Sequence, residues 1–324
     1  MYNRPEQILE QYALEVNSIA KSREGFLCDT SQGLKLLKEY QGSKERAAFL
    51  MQMLQFLESC GILTEKIWPT REGKPLAQSD EQTGYLLCDA MTGSECDTKS
   101  RDDMLEAVKT LAKFHNAAAG YGGEIPPFVK TGEDSLLKLY EKHNRELNKV
   151  KNYVRGRKKK NDFELLFSQC YADYIEKAGQ VTRLLEQTKL CPQSVGFCHG
   201  DYNQHNVIFT KNGIAIVHFD RFTYHISVSD LANFMRKMLE KNNWNMGLGI
   251  DMIRAYEKIH PLEKQEMTYL YIYLAYPEKF WKVANHYYNA HKAWISGRNI
   301  EKLQKVVAQE EKRSSFLQML FSFL

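Results

Sequence analysis

Residues 198–209 read CHGDYNQHNVIF, and residues 216–222 read IVHFDRF. Within them Asp201 and Asn206 stand five positions apart, and Asp220 follows an apolar run. Transfer of a phosphoryl group from ATP asks little covalent work of a protein. It needs a carboxylate to accept or orient the acceptor hydroxyl, and oxygen ligands that hold Mg²⁺ against the phosphates. Asp201, Asn206 and Asp220 have the right side chains in the right order for that chemistry. VIF (207–209) and IAIVHF (214–219) read as flanking strands, KNG (211–213) as the turn between them, and Asp220 ends the second strand.

Such a site also needs a strand lysine for the ATP phosphates, paired with a glutamate on a helix. In LKLLKEY (34–40), Leu34, Leu36 and Lys38 share one face by the period-two rule, and Lys35 falls on the other. Lys38 is therefore the expected phosphate contact and Lys35 a solvated charge. Glu45, just ahead of an apolar helical run, is either the partner of Lys38 or an exposed first-turn acid favoured by the helix dipole. The CDAMTG segment (88–93) sits where an adenine-binding hinge belongs, with Met91 as its contact. The turn between the first two strands, KSREG (21–25), holds one glycine and no GxGxxG.

The elements around these groups change in character along the chain. A short helical pattern at 5–15 leads into strand-like pieces at 16–20, 25–29 and 34–40, with the hairpin turn DTSQG at 29–33. SKERAAFLMQMLQFLESCG (43–61) has a Ser start, helical apolar spacing and a Gly stop. IWPTREGKPL (67–76) reads as strand and turn, and GYLLCDAMTG (84–93) as a buried strand ending in a loop. Helices are then expected over 103–118, 134–150, 162–186, 230–241, 248–259, 262–275, 278–292 and 298–320. The architecture expected is α+β and bilobal: a small strand-rich lobe over residues 1–89 and a larger helical lobe over 90–324. The second lobe carries the catalytic loop 198–206 and the metal-binding Asp220.

Composition narrows the class further. The 324 residues are 43% apolar and 26% charged, with a net charge of +4. That balance implies no nucleic-acid partner. Seven cysteines form no CxxC pair, so reduced thiols are expected rather than disulfides or a zinc site. MYNRPEQILEQ has no basic stretch leading into an apolar core, and YLYIYLAY (269–276) is far short of the ~20 residues a membrane span needs. Seven Lys or Arg lie within residues 149–160. They read as a solvated turn between helices, or as a patch for an anionic polymer, phosphorylated substrate or acidic protein. In the aromatic stretch 276–294, His286 and His291 are five apart, which does not suit a metal-binding helix pair.

The HGDxxxxN string, the hairpin and the second Asp resemble the protein-kinase-like fold, and more closely its aminoglycoside phosphotransferase and choline kinase branch. By position that resemblance makes Asp201 the catalytic base, Asn206 and Asp220 the Mg²⁺ ligands, and His199 the buttress of the loop. HGDYNQHNV, VHFDRF, RKMLEKNNW, YPEKFWK and NAHKAW together resemble the CotS-type spore coat proteins of endospore-forming Firmicutes. This implies a protein made in the mother-cell cytoplasm and deposited in the spore coat, with coat proteins as partners. Two functions are compatible with it. One is an ATP- and Mg²⁺-dependent phosphotransferase on an unknown small-molecule, sugar or coat acceptor. The other is a kinase-shaped module of coat assembly with weak or no catalysis.

Overall fold

The structure, a computed structural model, describes residues 5–79, 83–132, 134–189, 194–289 and 297–324. In chain order the first elements are α1 (Pro5–Leu9), β1 (Val16–Lys21), β2 (Phe26–Thr30), β3 (Gly33–Glu39) and α2 (Lys44–Ser59). β4 (Ile67–Trp68), β5 (Ala77–Gln78), β6 (Gly84–Asp89), β7 (Ser94–Glu95) and α3 (Arg101–Ala119) follow. Then come α4 (Ser135–Gly156), α5 (Asp162–Gln187), β8 (Val195–Cys198), β9 (Val207–Thr210), β10 (Gly213–Ile216) and β11 (Thr223–Ile226). The chain ends with α6 (Val228–Lys241), α7 (Met246–Glu257), α8 (Lys264–Ala275), α9 (Glu278–Asn289), α10 (Arg298–Ala308) and α11 (Glu310–Phe321).

Two compact units result: Met1–Lys130 with Gly196–Tyr224, and Thr131–Val195 with His225–Leu324. The first holds an antiparallel sheet ordered β1-β2-β3-β6-β4, with β5 also on β6. A smaller sheet, β10-β9-β7, carries the hairpin between Asn206 and Val217. Leu37 of β3 is paired with Leu87 of β6, and both enter a cluster with Ile8, Tyr12, Cys28 and Tyr85. α2 forms as its sequence dictates. The Ser43 hydroxyl accepts the amide of Arg46, and Ala47, Leu50, Met53, Leu54 and Leu57 bury one face. Gly61, at φ +81°, ends it by sending its amide to Glu58 while Ile62 reaches back to Leu57.

The second unit is helical. α5 opens on a reciprocal cap in which Asn161 accepts the Glu164 amide and Glu164 accepts the Asn161 amide. Its core joins Leu147 and Val150 of α4, Phe163 and Phe167 of α5, Phe280 of α9 and Leu303 of α10. The basic run closes α4 and the turn before α5; its Lys and Arg side chains are exposed except the half-buried Lys160, and the exposed Arg157 reaches the buried Glu164 at 3.3 Å.

Instead of the single helix expected over 298–320, the structure has α10 and α11, broken at Gln309. Leu303 joins the α5–α9 core, whereas α11 packs on α7 and α8 and sends Arg313 to the carbonyls of Leu274 and Ala275. One straight helix could not serve both. His286 lies on α9, and His291 lies outside the described residues, as does most of NAHKAW.

Candidate active site

The site is built within the first unit, from β3, the strand end of β6, the segment before β4 and the two loops that flank the β9–β10 hairpin. Lys38 is buried on β3, with its ammonium 3.0 Å from Asp220 Oδ2 and 3.4 Å from Glu65 Oε1. Burial would lower its pKa, but the charges of Glu65 and Asp220 and the neighbouring Cys88 outweigh that and raise it above the ordinary lysine range.

Glu65 is fully buried. Burial pushes its carboxyl up, and the stronger combined pull of Lys38, His218 and two backbone amides holds it below the usual carboxylate range. Those amides, of His218 and Phe219, donate to Glu65 Oε1 at 2.8 and 3.2 Å. The segment gets there by running beside β10: Thr64 bridges Ile216 in parallel, and Ile216 donates its amide to the Leu63 carbonyl.

Glu45 is therefore not the partner of Lys38. It stands exposed in the first turn of α2, its carboxyl lowered by its own backbone amide and by Ser43. What α2 contributes instead is Arg46, whose guanidinium lies 4.1 Å from the Phe222 ring centre and donates to the carbonyls of Phe222 and Phe128. Lys35 is also not a solvated charge. It is 3% exposed, 2.7 Å from Asp89 Oδ1, and stacked over Trp68 at 4.2 Å. Both faces of β3 are covered, so the face opposite Lys38 is interior too.

The HGD loop is fixed from several sides. His199 is fully buried; its Nε2 meets the Val217 carbonyl at 2.9 Å and its Nδ1 accepts the Asp201 amide at 3.2 Å. Those partners assign the neutral Nε2–H tautomer. Gly200 has φ +79°, and a Cβ there would fall 2.0 Å from the Arg221 carbonyl oxygen, so only glycine lets this loop lie against the Asp220 turn. The Tyr202 hydroxyl donates to the Ala107 carbonyl of α3 at 2.7 Å. The Asp201 carbonyl accepts the side-chain amides of both Asn203 (2.8 Å) and Asn206 (2.9 Å).

Asn206 thus commits its side-chain nitrogen to the loop and not its oxygen. Asp220 commits Oδ2 to Lys38, while its buried Oδ1 has no hydrogen-bond partner. An orphaned carboxylate oxygen suits a hard cation with oxygen ligands. Among the described residues no three His, Cys, Asp or Glu side chains could hold a metal by themselves. A cation here would complete its shell with phosphate oxygens and water.

Beside these groups lies a cavity of about 300 Å³, lined by Leu27, Leu36, Met91, Ile208 and Val217 with Glu24, Glu65 and His218 at its polar end. Met91 packs on the Ile208–Val217 cluster, and the Ala90 amide donates to the Leu34 carbonyl. His218 adopts the left-handed conformation, at φ 65°. Its Nε2 lies 2.5 Å from Glu24 Oε2, and its Nδ1 3.5 Å from the Lys38 ammonium. The hydrogen bond from His218, with help from Arg23, lowers the Glu24 carboxyl to about 2 against burial.

Sequence reasoning did not single out Glu65, Glu24 or His218. For Glu65 a signal was present: in ILTEKIW it shares the strand-like face of Leu63 and Ile67, an acid among apolar residues.

Residues 5–320 match the family described as "Spore coat putative kinase YutH". The chain belongs to that family. It is also 25% identical to Spore coat protein S of Bacillus subtilis (strain 168), over 97% of this chain and 93% of that protein. An aminoglycoside phosphotransferase from Alicyclobacillus acidocaldarius superposes with a TM-score of 0.85 at 18% identity, covering 98% of this chain and 96% of the other. The amicoumacin kinase hAmiN, solved in complex with AMP-PNP, Ca²⁺ and Ami, gives a TM-score of 0.62 at 13% identity, over 96% of this chain and 92% of the other. The kinase-like α+β fold and the spore coat family implied by the sequence are those the chain has. No helix among the described residues is long and apolar enough to cross a membrane.

Proposed function

We propose that this member of the spore coat kinase family is an ATP- and Mg²⁺-dependent phosphotransferase. The observation that carries the reading is the ion pair of buried Lys38 with half-buried Asp220, whose second, buried oxygen is left without a partner. Lys38 would hold the nucleotide phosphates, Met91 would border the adenine, and Asn206 and Asp220 would hold Mg²⁺, which when bound neutralises phosphate charge. Asp201 accepts the proton of the acceptor hydroxyl. His199 keeps the Asp201 backbone in place through its Nδ1 and needs no charge to do so. In this reading residues 1–89 are the nucleotide side and 90–324 carry the acceptor side. The protein is made in the mother-cell cytoplasm and laid into the coat, where coat proteins are its neighbours or its substrates.

Phosphate transfer from labelled ATP to a coat extract tests this, with Asp201→Asn as the control. Loss of a general base reduces such a rate by about a hundredfold or more. Equal incorporation by both proteins would remove Asp201 from the mechanism.

A second reading, a coat assembly module with little catalysis, is favoured by one feature. The β1–β2 turn has a single glycine and places an acid, Glu24, in the cleft that phosphates would enter. Assembly of a coat carrying Asp201→Asn in place of the natural chain separates the two: a normal coat supports the module, a defective one the enzyme.

A further inference from the structure

The β1–β2 turn is folded tightly over the cleft. The Ser22 amide and hydroxyl both donate to the Gly25 carbonyl, at 2.8 and 3.2 Å. A Cβ on Gly25 would fall 2.2 Å from the Leu37 carbonyl oxygen, so glycine lets the turn collapse onto β3. The collapse delivers Glu24 to the polar end of the cavity. There its carboxylate takes His218 Nε2 at 2.5 Å and Arg23 at 2.9 Å.

His218 in turn stands next to Lys38, and its backbone amide is held by Glu65. Glu24 therefore ends a chain of groups, Glu24–His218–Lys38–Asp220, and takes the donors of His218 and Arg23 on the side away from the buried Glu65, which is held by Lys38 and two backbone amides. Nothing in the catalytic chemistry above uses it. A carboxylate and a phosphate have the same appetite for such donors, and two anions cannot share them without strong repulsion.

Resting on the nucleotide reading above, we propose that Glu24 is a built-in occupant of the phosphate end of the cleft. An incoming triphosphate must displace it from His218 and Arg23, which then become phosphate contacts. The displacement weakens binding of nucleotides in proportion to their phosphate charge and leaves the nucleoside part untouched. A competing state filled nine times in ten lowers apparent affinity about tenfold. Glu24 in this way sets how much nucleotide the protein needs before its cleft is occupied.

The experiment is equilibrium binding by calorimetry, with Mg-ATP and with adenosine, to the natural chain, Glu24→Gln, Glu24→Ala and the double variant Glu24→Gln/His218→Ala. Both single variants should bind Mg-ATP about tenfold more tightly, adenosine as the natural chain does, and the double variant should lose the gain. Equal Mg-ATP affinity across natural and single-variant chains overturns the role of Glu24 and leaves the nucleotide reading standing. Tightening of adenosine as well would mean a steric lid rather than an anion competitor, and would also overturn it. Absence of all adenine binding in every chain overturns both.

Discussion

Glu65 Oε1 accepts the backbone amides of His218 and Phe219 while lying 3.4 Å from the ammonium of Lys38. One fully buried carboxylate thereby locks the β3 lysine to the turn that presents Asp220. The tie is made by a residue before β4, and the helix that follows β3 reaches the Phe222 end of the same turn with Arg46 and Phe49.

Glu65→Ala leaves Lys38 with one carboxylate and strands two amides. Removing one member of a buried pair costs about 3–5 kcal/mol. Chemical denaturation should show a loss of that size, whereas Glu45→Ala, at an exposed position, should stay within about 0.5 kcal/mol. Equal losses at the two positions would contradict the corrected pairing.

The same pair has a pH signature. Glu65 is depressed in the folded protein, so its contribution is fully present above the ordinary carboxylate value of 4.5 and fades as pH falls toward its lower folded value. Lys38 is raised, so its contribution is present below the ordinary lysine value of 10.5 and is lost only above it. The stability difference between the natural chain and Glu65→Gln should therefore be flat from pH 5 to 9 by about half a kcal/mol or less, and shrink on acidification below pH 4.5. Denaturant titrations at several pH values read this directly. A difference that grows toward acid would reverse the sign and refute the pairing.

Gly200→Ala forces an L side chain into φ +79° and against the Arg221 carbonyl. The backbone strain alone costs about 1–3 kcal/mol. The loop must also shift away from the Asp220 turn, so phosphate transfer should fall along with the melting temperature. An alanine variant with unchanged melting and transfer would show that the close approach is not needed.

Lys35 and Lys38 alternate along one strand and should separate cleanly. Lys35→Met breaks the contact with Asp89 and should lower stability by about 1–3 kcal/mol, with nucleotide affinity kept. Lys38→Met should abolish nucleotide binding. Loss of binding in Lys35→Met alone would exchange their roles.

The legible parts of this protein were those encoded by spacing along the chain. Asp201, Asn206 and Asp220 are separated by one loop and one hairpin, so local pattern places them, and Ser43 and Gly61 mark the ends of α2 as cap chemistry predicts. Lys38 followed from strand alternation. The rest depends on contacts between distant segments. Glu65 reaches Lys38 only because Thr64 bridges Ile216, more than a hundred residues away. Lys35 departs from the solvated position expected because alternation assigns a face but not what covers it, and Trp68 covers that face. The Gln309 break depends on which neighbours α10 and α11 each find.

In the proposed reading Mg-ATP binds in this cleft through Asp220. Thermal unfolding of the natural chain and of Asp220→Asn, with and without Mg-ATP, tests it most directly. Ligand at a hundred times its dissociation constant adds about 2.7 kcal/mol, a readily measured shift. A Mg²⁺-dependent rise is expected in the natural chain, and Asp220→Asn should abolish it. No shift at millimolar Mg-ATP, or an equal shift in both proteins, would contradict it.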